Sequence, residues 1–279
     1  MAMNNAETPV IWLAVDLDGT LTTSDKNVTS FTLQTLLTAQ QEGWLRIVID
    51  SGRPVNGIAP VADLLQLDRY DGWVVAFNGG EIVRWSDRQC LFRQSLPAEA
   101  VPVIYNIGQP PFSVMTYVGQ EILTETPLSP YVQKSARANR MIPRGVDSFL
   151  EAVDGIPLSK CIVVGEPVRL AALEESLRQQ PALPFDFFRS EDFFLEFVPQ
   201  GLDKASGLQC LSRHLGVPSS DFIAIGDAYN DIPMINWAGT GVAVANAKGP
   251  VLEAADLITR SNDDDGVAHF ITQLKQWKH

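Results

Sequence analysis

Two carboxylates one residue apart end an apolar segment near the start of the chain. Asp16 and Asp18 follow residues 10–15, an apolar run typical of a buried β-strand. Side chains two positions apart share one face of a strand, although Gly19 and Thr20 indicate that the chain turns into a loop at Asp18. Carboxylates at the carboxyl end of a buried strand lie where open α/β sheets bind ligands. Taken alone, the stretch fits an ordinary solvent-exposed Asp-Gly turn equally well.

Further polar side chains follow other predicted strands or begin a predicted helix. They are Ser51, Asn78, Lys204 and the group Asp227, Asn230 and Asp231. Taken singly, Ser51 with the Gly and Arg that follow it is more often a turn, and Lys204 in the first turn of a helix is more often simply solvated. For the group at 227–231 a metal site is about as probable as a turn with a helix cap. Together with the first two acids they supply a carboxylate nucleophile, a carboxylate for proton transfer, a hydroxyl and an ammonium for phosphoryl oxygens, and carboxylates for Mg²⁺. The set indicates phosphoryl transfer.

The elements that must position these groups alternate between strand and helix at both ends of the chain. Apolar runs predict strands at residues 10–15, 44–49, 73–77, 222–225, 241–245 and 256–259. Helical spacing of apolar residues predicts helices at 29–42, 55–65, 204–215, 232–238 and 267–277. This alternation with short links predicts an α/β fold, a doubly wound Rossmann-like parallel sheet with the polar clusters at one edge.

Between these stretches the pattern changes to that of an α+β domain. A hairpin is predicted at 82–85 and 90–93, further strands at 113–117, 160–164, 184–188 and 193–198, and helices at 98–107 and 167–179. We interpret this region as a domain inserted into the core. The predicted division is 1–84 for the first core segment, 85–198 for the insertion and 199–279 for the second core segment.

Composition limits the classes of partner. The 279 residues are 46% hydrophobic and 19% charged, which is typical of a globular protein, and the formal net charge of −12 argues against nucleic acid or an anionic membrane as the main ligand. A small anionic substrate would need a local cation. Because three scattered cysteines form no metal-binding pattern and no leader or membrane-spanning run is visible, we expect a cytoplasmic protein.

The order of these motifs resembles the haloacid dehalogenase superfamily, and most closely its Cof-like phosphatases. The motifs that carry the resemblance are Asp16-Leu-Asp18-Gly19-Thr20, Ser51-Gly52-Arg53, Lys204, and Gly226-Asp227-Ala228-Tyr229-Asn230-Asp231. Asn78-Gly79, Asn230-Asp231-Ile232-Pro233-Met234, Asn246-Ala247 and Ser261-Asn262 with the residues through Ala268 are further marks of the Cof-like group. These proteins carry an α/β cap domain between the second and third motifs, which matches the predicted insertion.

The resemblance implies a role for each matched residue. Asp16 would attack phosphorus to give an aspartyl-phosphate, and Asp18 would protonate the leaving alcohol and then accept a proton from water. The implied phosphate-binding group is Ser51, Gly52, Lys204 and Gly19. The implied Mg²⁺ ligands are the Asp16 carboxylate, the Asp18 carbonyl and Asp227, with Asp231 close by or acting through water. The implied supporting residues are Thr20, Arg53, Asn78, Asn230 and Asn246. Asn230 would orient Lys204 or the metal carboxylates, and Arg53 would reach substrate or brace its loop, of which bracing is favoured.

Several alternatives stay open at this point. The expected function is Mg²⁺-dependent hydrolysis of small phosphorylated metabolites, sugar phosphates first, while a phosphomutase or a non-catalytic phospho-ligand sensor would share the fold. Arg137, Arg140 and Arg144 could serve a mutase's second phosphate, although a solvated surface explains them better. Ala245 stands where Cof-like chains usually have Gly, which leaves the local loop conformation open. The oligomeric state and the leaving group cannot be read from the sequence.

Overall fold

A computed structural model describes residues 10–180 and 183–277 of the chain. The strands are β1 (Ile11–Val15), β2 (Leu45–Asp50), β3 (Trp73–Ala76), β4 (Glu81–Arg84), β5 (Cys90–Arg93), β6 (Ser113–Val118), β7 (Glu121–Thr124), β8 (Ile142–Gly145), β9 (Cys161–Val164), β10 (Asp186–Glu191), β11 (Phe194–Val198), β12 (Phe222–Gly226), β13 (Thr240–Ala243) and β14 (Leu257–Ile258). The helices are α1 (Ser30–Gln41), α2 (Val55–Leu64), α3 (Ala100–Ile107), α4 (Pro130–Asn139), α5 (Phe149–Ala152), α6 (Pro167–Arg178), α7 (Lys204–Leu215), α8 (Ile232–Trp237), α9 (Gly249–Ala254) and α10 (Gly266–Trp277). The predicted absence of a leader concerns residues 1–9, which lie outside the described ranges.

The described chain divides into two compact units, of which the first is formed by residues 10–52, 58–91 and 203–277. Its sheet has eight strands in the order β14-β13-β12-β1-β2-β3-β4-β5. Strands β14 to β3 are mutually parallel, and β4 runs antiparallel to β3. This confirms the predicted doubly wound parallel core, to which the structure adds an antiparallel edge.

Strand β5 belongs to this eight-stranded sheet, although the predicted insertion begins at residue 85. The chain turns between β4 and β5, and the Arg84 amide donates a 2.9 Å hydrogen bond to the Gln89 carbonyl. The hairpin continues the ladder of the first sheet, and the division between the units falls within β5, after Leu91, and again after Leu202. Turn signals in the sequence identify the hairpin but do not indicate which sheet it joins.

The second unit is formed by residues 53–57 and 92–202. Its six strands follow the order β10-β11-β9-β6-β7-β8. One buried cluster includes Ile104, Phe149, Val163, Leu170 and Phe197, and a second includes Met115, Ile122, Val132, Ala136 and Ile162. Since Ile162 and Val163 are neighbours on β9 and belong to different clusters, the two faces of the sheet each have their own core.

Four elements of the second unit, β7, β8, α4 and α5, were not predicted from the sequence. Strand β8 contains Pro143 and has only half-buried or exposed residues, so it shows neither an apolar run nor a clear alternation. Helix α4 begins at Pro130, and proline is well tolerated in the first turn of a helix. The proline cluster at 127–130 therefore reflects a helix start as well as a loop.

Helix α7 is placed with its first residue against the loop after β3. Asp203 caps the helix by accepting from the Ser206 amide at 2.7 Å, and Ser206 Oγ in turn pairs with the Asp203 backbone. Gly79 has a φ of +97°, and a Cβ there would lie 2.3 Å from the Asp203 carbonyl oxygen. The backbone can approach α7 this closely only because residue 79 is glycine. Lys204 is held at the edge of the sheet as a result.

Within the described part of the chain, no helix is both long enough and apolar enough to cross a membrane.

Candidate active site

Asp16 and Asp227 meet because their strands are neighbours. Strand β1 pairs in parallel with β12 through Val15 and Ile225, and the Asp16 amide donates to the Ile225 carbonyl at 3.0 Å. Parallel strands leave the sheet at the same edge, so the residues that follow them lie side by side. Asp16 is 6% exposed, and Asp227 is half-buried.

A buried ammonium joins two of the predicted carboxylates. Lys204 Nζ lies 2.5 Å from an oxygen of Asp16 and 2.5 Å from an oxygen of Asp231, and Lys204 and Asp231 are completely buried. Burying charges is expensive unless they are paired in good geometry. Burial lowers the pKa of Lys204, but the carboxylates of Asp16, Asp231 and Asp50 outweigh this effect and raise it. The side chain is therefore a permanent cation at neutral pH.

Asp231 is oriented by the backbone at the end of β12. Its second oxygen accepts from the Asp227 amide at 2.9 Å and from the Ala228 amide at 2.8 Å. A Cβ on Gly226 would lie 2.4 Å from Asp231 Cβ, so the side chain packs directly against the glycine backbone. One oxygen of Asp231 thus receives two backbone N–H groups while the other receives Lys204. This arrangement makes Asp231 primarily the ion-pair partner of Lys204.

The three acids together have the character of a cation site. One carboxylate oxygen from each of Asp16, Asp227 and Asp231 lies within 4.8 Å of the others. Burial raises the pKa of Asp16 to about 8, Lys204 opposes the rise, and the other two acids add to it. Burial also raises the pKa of Asp227, against the hydrogen bond from Thr20. Oxygen ligands and excess negative charge suit a hard divalent cation, so the residues fit Mg²⁺.

Thr20 and Gly19 bring the first loop against Asp227. Thr20 Oγ1 donates to Asp227 Oδ1 at 2.8 Å, and the threonine is 1% exposed. Gly19 has a φ of +83°, and a Cβ there would lie 2.7 Å from Asp227 Oδ2. A larger residue at position 19 would push the carboxylate out of place.

Asp18 lies closer to solvent than Asp16 and pairs with a residue that the sequence analysis missed. Lys26 Nζ is 2.9 Å from Asp18 Oδ1, and about a third of the Asp18 side chain is exposed. Asp18 also forms an isolated β-bridge with Thr22. Lys26 follows the motif in a loop and has a φ of 62°, so nothing in its sequence context distinguishes it from a surface lysine.

The loops after β2 and β3 are joined through their backbones and through two asparagines. The Ser51 amide donates to the Val75 carbonyl at 2.9 Å, and the Asn78 amide donates to the Ser51 carbonyl at 3.1 Å. Asn230 Nδ2 donates to Asn78 Oδ1 at 3.0 Å, which differs from the expected partners of Asn230, namely Lys204 or the metal carboxylates. A Cβ on Gly52 would lie 3.2 Å from the Asn78 amide, so the two loops are in close contact.

Asn246 connects the loop after β1 to the segment before α10. Its Nδ2 donates to the Gly19 carbonyl at 2.8 Å, and its Oδ1 accepts from the Asn262 amide at 2.9 Å. Asn262 Nδ2 then donates to the Thr22 carbonyl at 3.0 Å. Asn262 was recognised only as part of a family motif, without a role. Ala245 does not have a positive φ, so alanine fits the local backbone at this position.

Arg53 groups with the second unit, apart from the other predicted site residues. Within that unit its Nη1 donates to the Ala138 carbonyl at 3.0 Å and to the Gly57 carbonyl at 3.3 Å. Contacts of this kind, with backbone carbonyls, favour a bracing role.

Asp50, immediately before Ser51, was not among the predicted site residues. It is completely buried, and neither of its carboxyl oxygens has a hydrogen-bond partner among the described residues. Burial raises its pKa well above the usual range, and the charge of Lys204 opposes the rise. The signal in the sequence was an acid closing an otherwise apolar strand.

Comparison with known proteins gives a consistent result. The sequence model of the haloacid dehalogenase-like hydrolases matches residues 13–271. A crystal structure of a haloacid dehalogenase-like hydrolase from Bacteroides thetaiotaomicron is 44% identical, has a TM-score of 0.89, and is matched over 95% of this chain and 99% of that one. YxeH of Bacillus subtilis, whose name assigns it provisionally to the phosphatases, is 30% identical over 94% of this chain and 97% of its own.

A second relative from Bacillus subtilis has a named substrate. It is the 5-amino-6-(5-phospho-D-ribitylamino)uracil phosphatase YitU, 28% identical over 96% of this chain and 98% of its own. These matches confirm the resemblance stated from the motifs.

Proposed function

The chain belongs to the haloacid dehalogenase-like hydrolase family and is a phosphatase, and on this premise we propose that it hydrolyses small phosphorylated metabolites through an aspartyl-phosphate on Asp16. The observation that carries the proposal is the contact of Lys204 with both Asp16 and Asp231. A buried lysine beside a buried carboxyl group brings a nucleophile and a cation for phosphoryl oxygens to one place, and bound Mg²⁺ would favour the ionised form of Asp16 that burial disfavours.

The chemical step follows from this arrangement. An oxygen of Asp16 forms a bond to phosphorus while the bond between phosphorus and the ester oxygen breaks, and Asp18 transfers its proton to that oxygen. Water then attacks phosphorus, the bond to Asp16 breaks, and Asp18 accepts a proton from the water. Lys204 and Ser51 bind the phosphoryl oxygens, with the Gly52 and Gly19 backbones lining the same region. The pairing of Asp18 with Lys26 keeps its carboxylate at a defined position before substrate binds.

The cation in this proposal is Mg²⁺, held by the Asp16 carboxylate, the Asp18 carbonyl and Asp227. Bound Mg²⁺ would neutralise charge between an anionic nucleophile and an anionic phosphate. Thr20 orients Asp227, and the Asp227 and Ala228 amides orient Asp231 beside Lys204. Each of these contacts constrains an oxygen that the cation or the lysine needs.

Sugar and polyol phosphates are the substrate class that we propose. The named substrate of YitU is a phosphate ester carried on a ribityl chain, so a relative of similar length accepts a phosphorylated polyol. A net charge of −12 requires that such an anion be attracted locally, and the site offers Lys204 and the proposed cation for this purpose. The same charge argues against nucleic acid as a substrate.

A cytoplasmic location suits such a substrate and the absence of disulfides among the described residues.

The mutase alternative finds less support. Arg137, Arg140 and Arg144 are exposed, and Arg144 forms a 3.0 Å surface ion pair with Glu121, as expected for a solvated surface. The sensor alternative is set aside because the relatives of this chain are phosphatases.

The test is release of inorganic phosphate from a panel of sugar phosphates, polyol phosphates and p-nitrophenyl phosphate in the presence of Mg²⁺. We expect turnover by the wild type and its loss in Asp16→Asn, with Asp68→Asn, an exposed acid of the same unit, as the matched control. Conversion of one sugar phosphate isomer into another without phosphate release would favour a mutase. Turnover that persists in Asp16→Asn would overturn the proposed nucleophile.

A further inference from the structure

Asp50 is a buried acid that takes no part in the chemical steps described above. It is the last residue of β2, is paired in register with Val75 and precedes Ser51. The residue is 0% exposed, and neither carboxyl oxygen has a hydrogen-bond partner among the described residues. A buried polar group without a partner is strongly unfavourable, and an apolar residue would suit this strand better. The position therefore calls for an explanation other than folding.

The electrostatic surroundings of Asp50 point to Lys204. Apart from burial, the largest effect on the pKa of the Asp50 carboxyl comes from the Lys204 ammonium, which lowers it. Asp50 in turn is one of three carboxylates that raise the pKa of Lys204. The other two are Asp16 and Asp231, which accept hydrogen bonds from Lys204. An ammonium has three N–H donors, so a third acceptor can bind without displacing either carboxylate.

Phosphorylation of Asp16 would change this balance. When an Asp16 oxygen is bonded to phosphorus, its carboxylate becomes an uncharged carbonyl and the negative charge lies on the phosphoryl oxygens, so the N–H of Lys204 that was paired with Asp16 turns to a phosphoryl oxygen. Asp231 cannot follow this movement, because its second oxygen is held by two backbone amides. Among the described carboxylates that act on Lys204, Asp50 is the one that remains uncommitted.

We propose that Asp50 is a positioning residue that pairs with Lys204 while Asp16 carries the phosphoryl group. The inference rests on the proposed function. In the phosphoenzyme, Lys204 stays in place between Asp231 and Asp50 with one N–H directed at a phosphoryl oxygen. The step that depends on Asp50 is hydrolysis, in which the bond from water oxygen to phosphorus forms, the bond from Asp16 to phosphorus breaks, and Asp18 takes the proton from water.

The test compares wild type with Asp50→Asn on p-nitrophenyl phosphate at saturating Mg²⁺, in stopped-flow and steady-state experiments. Because the variant slows hydrolysis of the intermediate, we expect kcat to fall about tenfold, as for a loss of one charge-assisted interaction. KM should fall with it, and a burst of p-nitrophenol approaching one equivalent per enzyme should appear. A merely structural role for Asp50 would alter thermal stability and leave the burst absent.

Gln40→Leu provides a matched control, since Gln40 is a buried polar residue of the same unit whose Oε1 also has no partner among the described residues. It should alter stability and leave kcat and the burst as in wild type. Asp50→Val, compatible with a strand, repeats the test without any polar group at position 50.

An unchanged kcat, or a lower kcat without a burst, would overturn the inference while leaving the proposed function intact. Failure of both variants at position 50 to fold would also overturn it, because Asp50 would then serve the fold. If the wild type released no phosphate from any ester, the proposed function would fail and this inference with it.

Discussion

Lys204 Nζ and Asp231 Oδ1 lie 2.5 Å apart, and neither side chain has any exposed surface. Lys204 is the first residue of α7, and Asp231, 27 residues later in the chain, immediately precedes α8. Their contact helps to hold the ammonium beside Asp16, an oxygen of which lies 2.5 Å from Lys204 Nζ. A buried pair of this kind is stable only while both charges are present.

We predict that Asp231→Asn loses both activity and stability. The side-chain NH₂ of asparagine is a donor and would face either the Asp227 and Ala228 N–H groups or Lys204, all of which are donors too. In either orientation a buried donor loses the acceptor that Asp231 provides. The free energy of unfolding should fall by about 1–3 kcal/mol and kcat by about 100-fold or more. Urea denaturation and phosphate release measure the two effects.

Asp256→Asn is the control for this variant, because Asp256 also accepts a backbone N–H, from Gly241 at 2.8 Å, away from the site. It should lose stability alone. Full activity in Asp231→Asn would show that Lys204 needs no second carboxylate.

We predict that Thr20→Val weakens Mg²⁺ binding and spares the chemical step. The substitution keeps the shape of the side chain and removes the 2.8 Å hydrogen bond to Asp227 Oδ1. Loss of a group that orients a metal ligand typically lowers metal affinity about 10–100-fold. Titration of activity with Mg²⁺ should give a higher half-saturating concentration and a kcat near that of wild type once saturated.

Thr32→Val is the matched variant, since Thr32 is also buried and donates to Asp265 at 2.8 Å outside the site. Its Mg²⁺ titration should coincide with that of wild type. If the titration curve of Thr20→Val also coincided with that of wild type, the hydrogen bond from Thr20 to Asp227 would play no part in Mg²⁺ binding.

The metal-free protein should lose stability as the pH rises. Burial raises the pKa of Asp16 to about 8, whereas an unfolded Asp titrates near pH 3.9. Between pH of about 4 and 8 the folded state therefore holds more protons than the unfolded state, and the free energy of unfolding declines with pH, by at most about 1.4 kcal/mol per pH unit for one proton. Denaturation in EDTA at several pH values measures the slope.

Asp16→Asn removes this titration, so its slope over the same range should be smaller. A wild-type protein whose stability rises across the interval would mean that Asp16 is already ionised by Lys204 alone.

Mg²⁺ should stabilise the folded protein through the acidic cluster. A ligand that binds only the folded state at 100 times its dissociation constant adds about 2.7 kcal/mol. We expect a higher Tm on addition of Mg²⁺ to the EDTA-treated wild type, and loss of the shift in Asp227→Asn, which removes a charge from the cluster. An equal shift in the variant would place the ion elsewhere.

The sequence alone was sufficient for the parallel core and for the identity of its acidic motifs. The apolar run that ends in Asp16 fits an ordinary turn when taken alone, and the polar ends of the later strands together with Lys204 were needed to assign it to the ligand-binding edge of an α/β sheet. The insertion was predicted less completely, because β8 includes Pro143 and has no buried residue to mark it as a strand. The sheet that β5 joins, and with it the position of the boundary, also depended on strand pairing.

Which side chains pair within the site was decided by the tertiary structure. Lys204 and Asp16 are 188 residues apart in the chain, and no local pattern indicates that Asp231 shares the same ammonium or that Lys26 pairs with Asp18. Burial of Asp50 without a partner is likewise invisible in the sequence, where it reads as the polar end of a strand. Sequence patterns report which faces are apolar and where elements end, whereas ion pairs and desolvation depend on distances between separate elements. The motifs thus determined the chemistry available to this protein, and the packing of α7 against the sheet decided which groups carry it together.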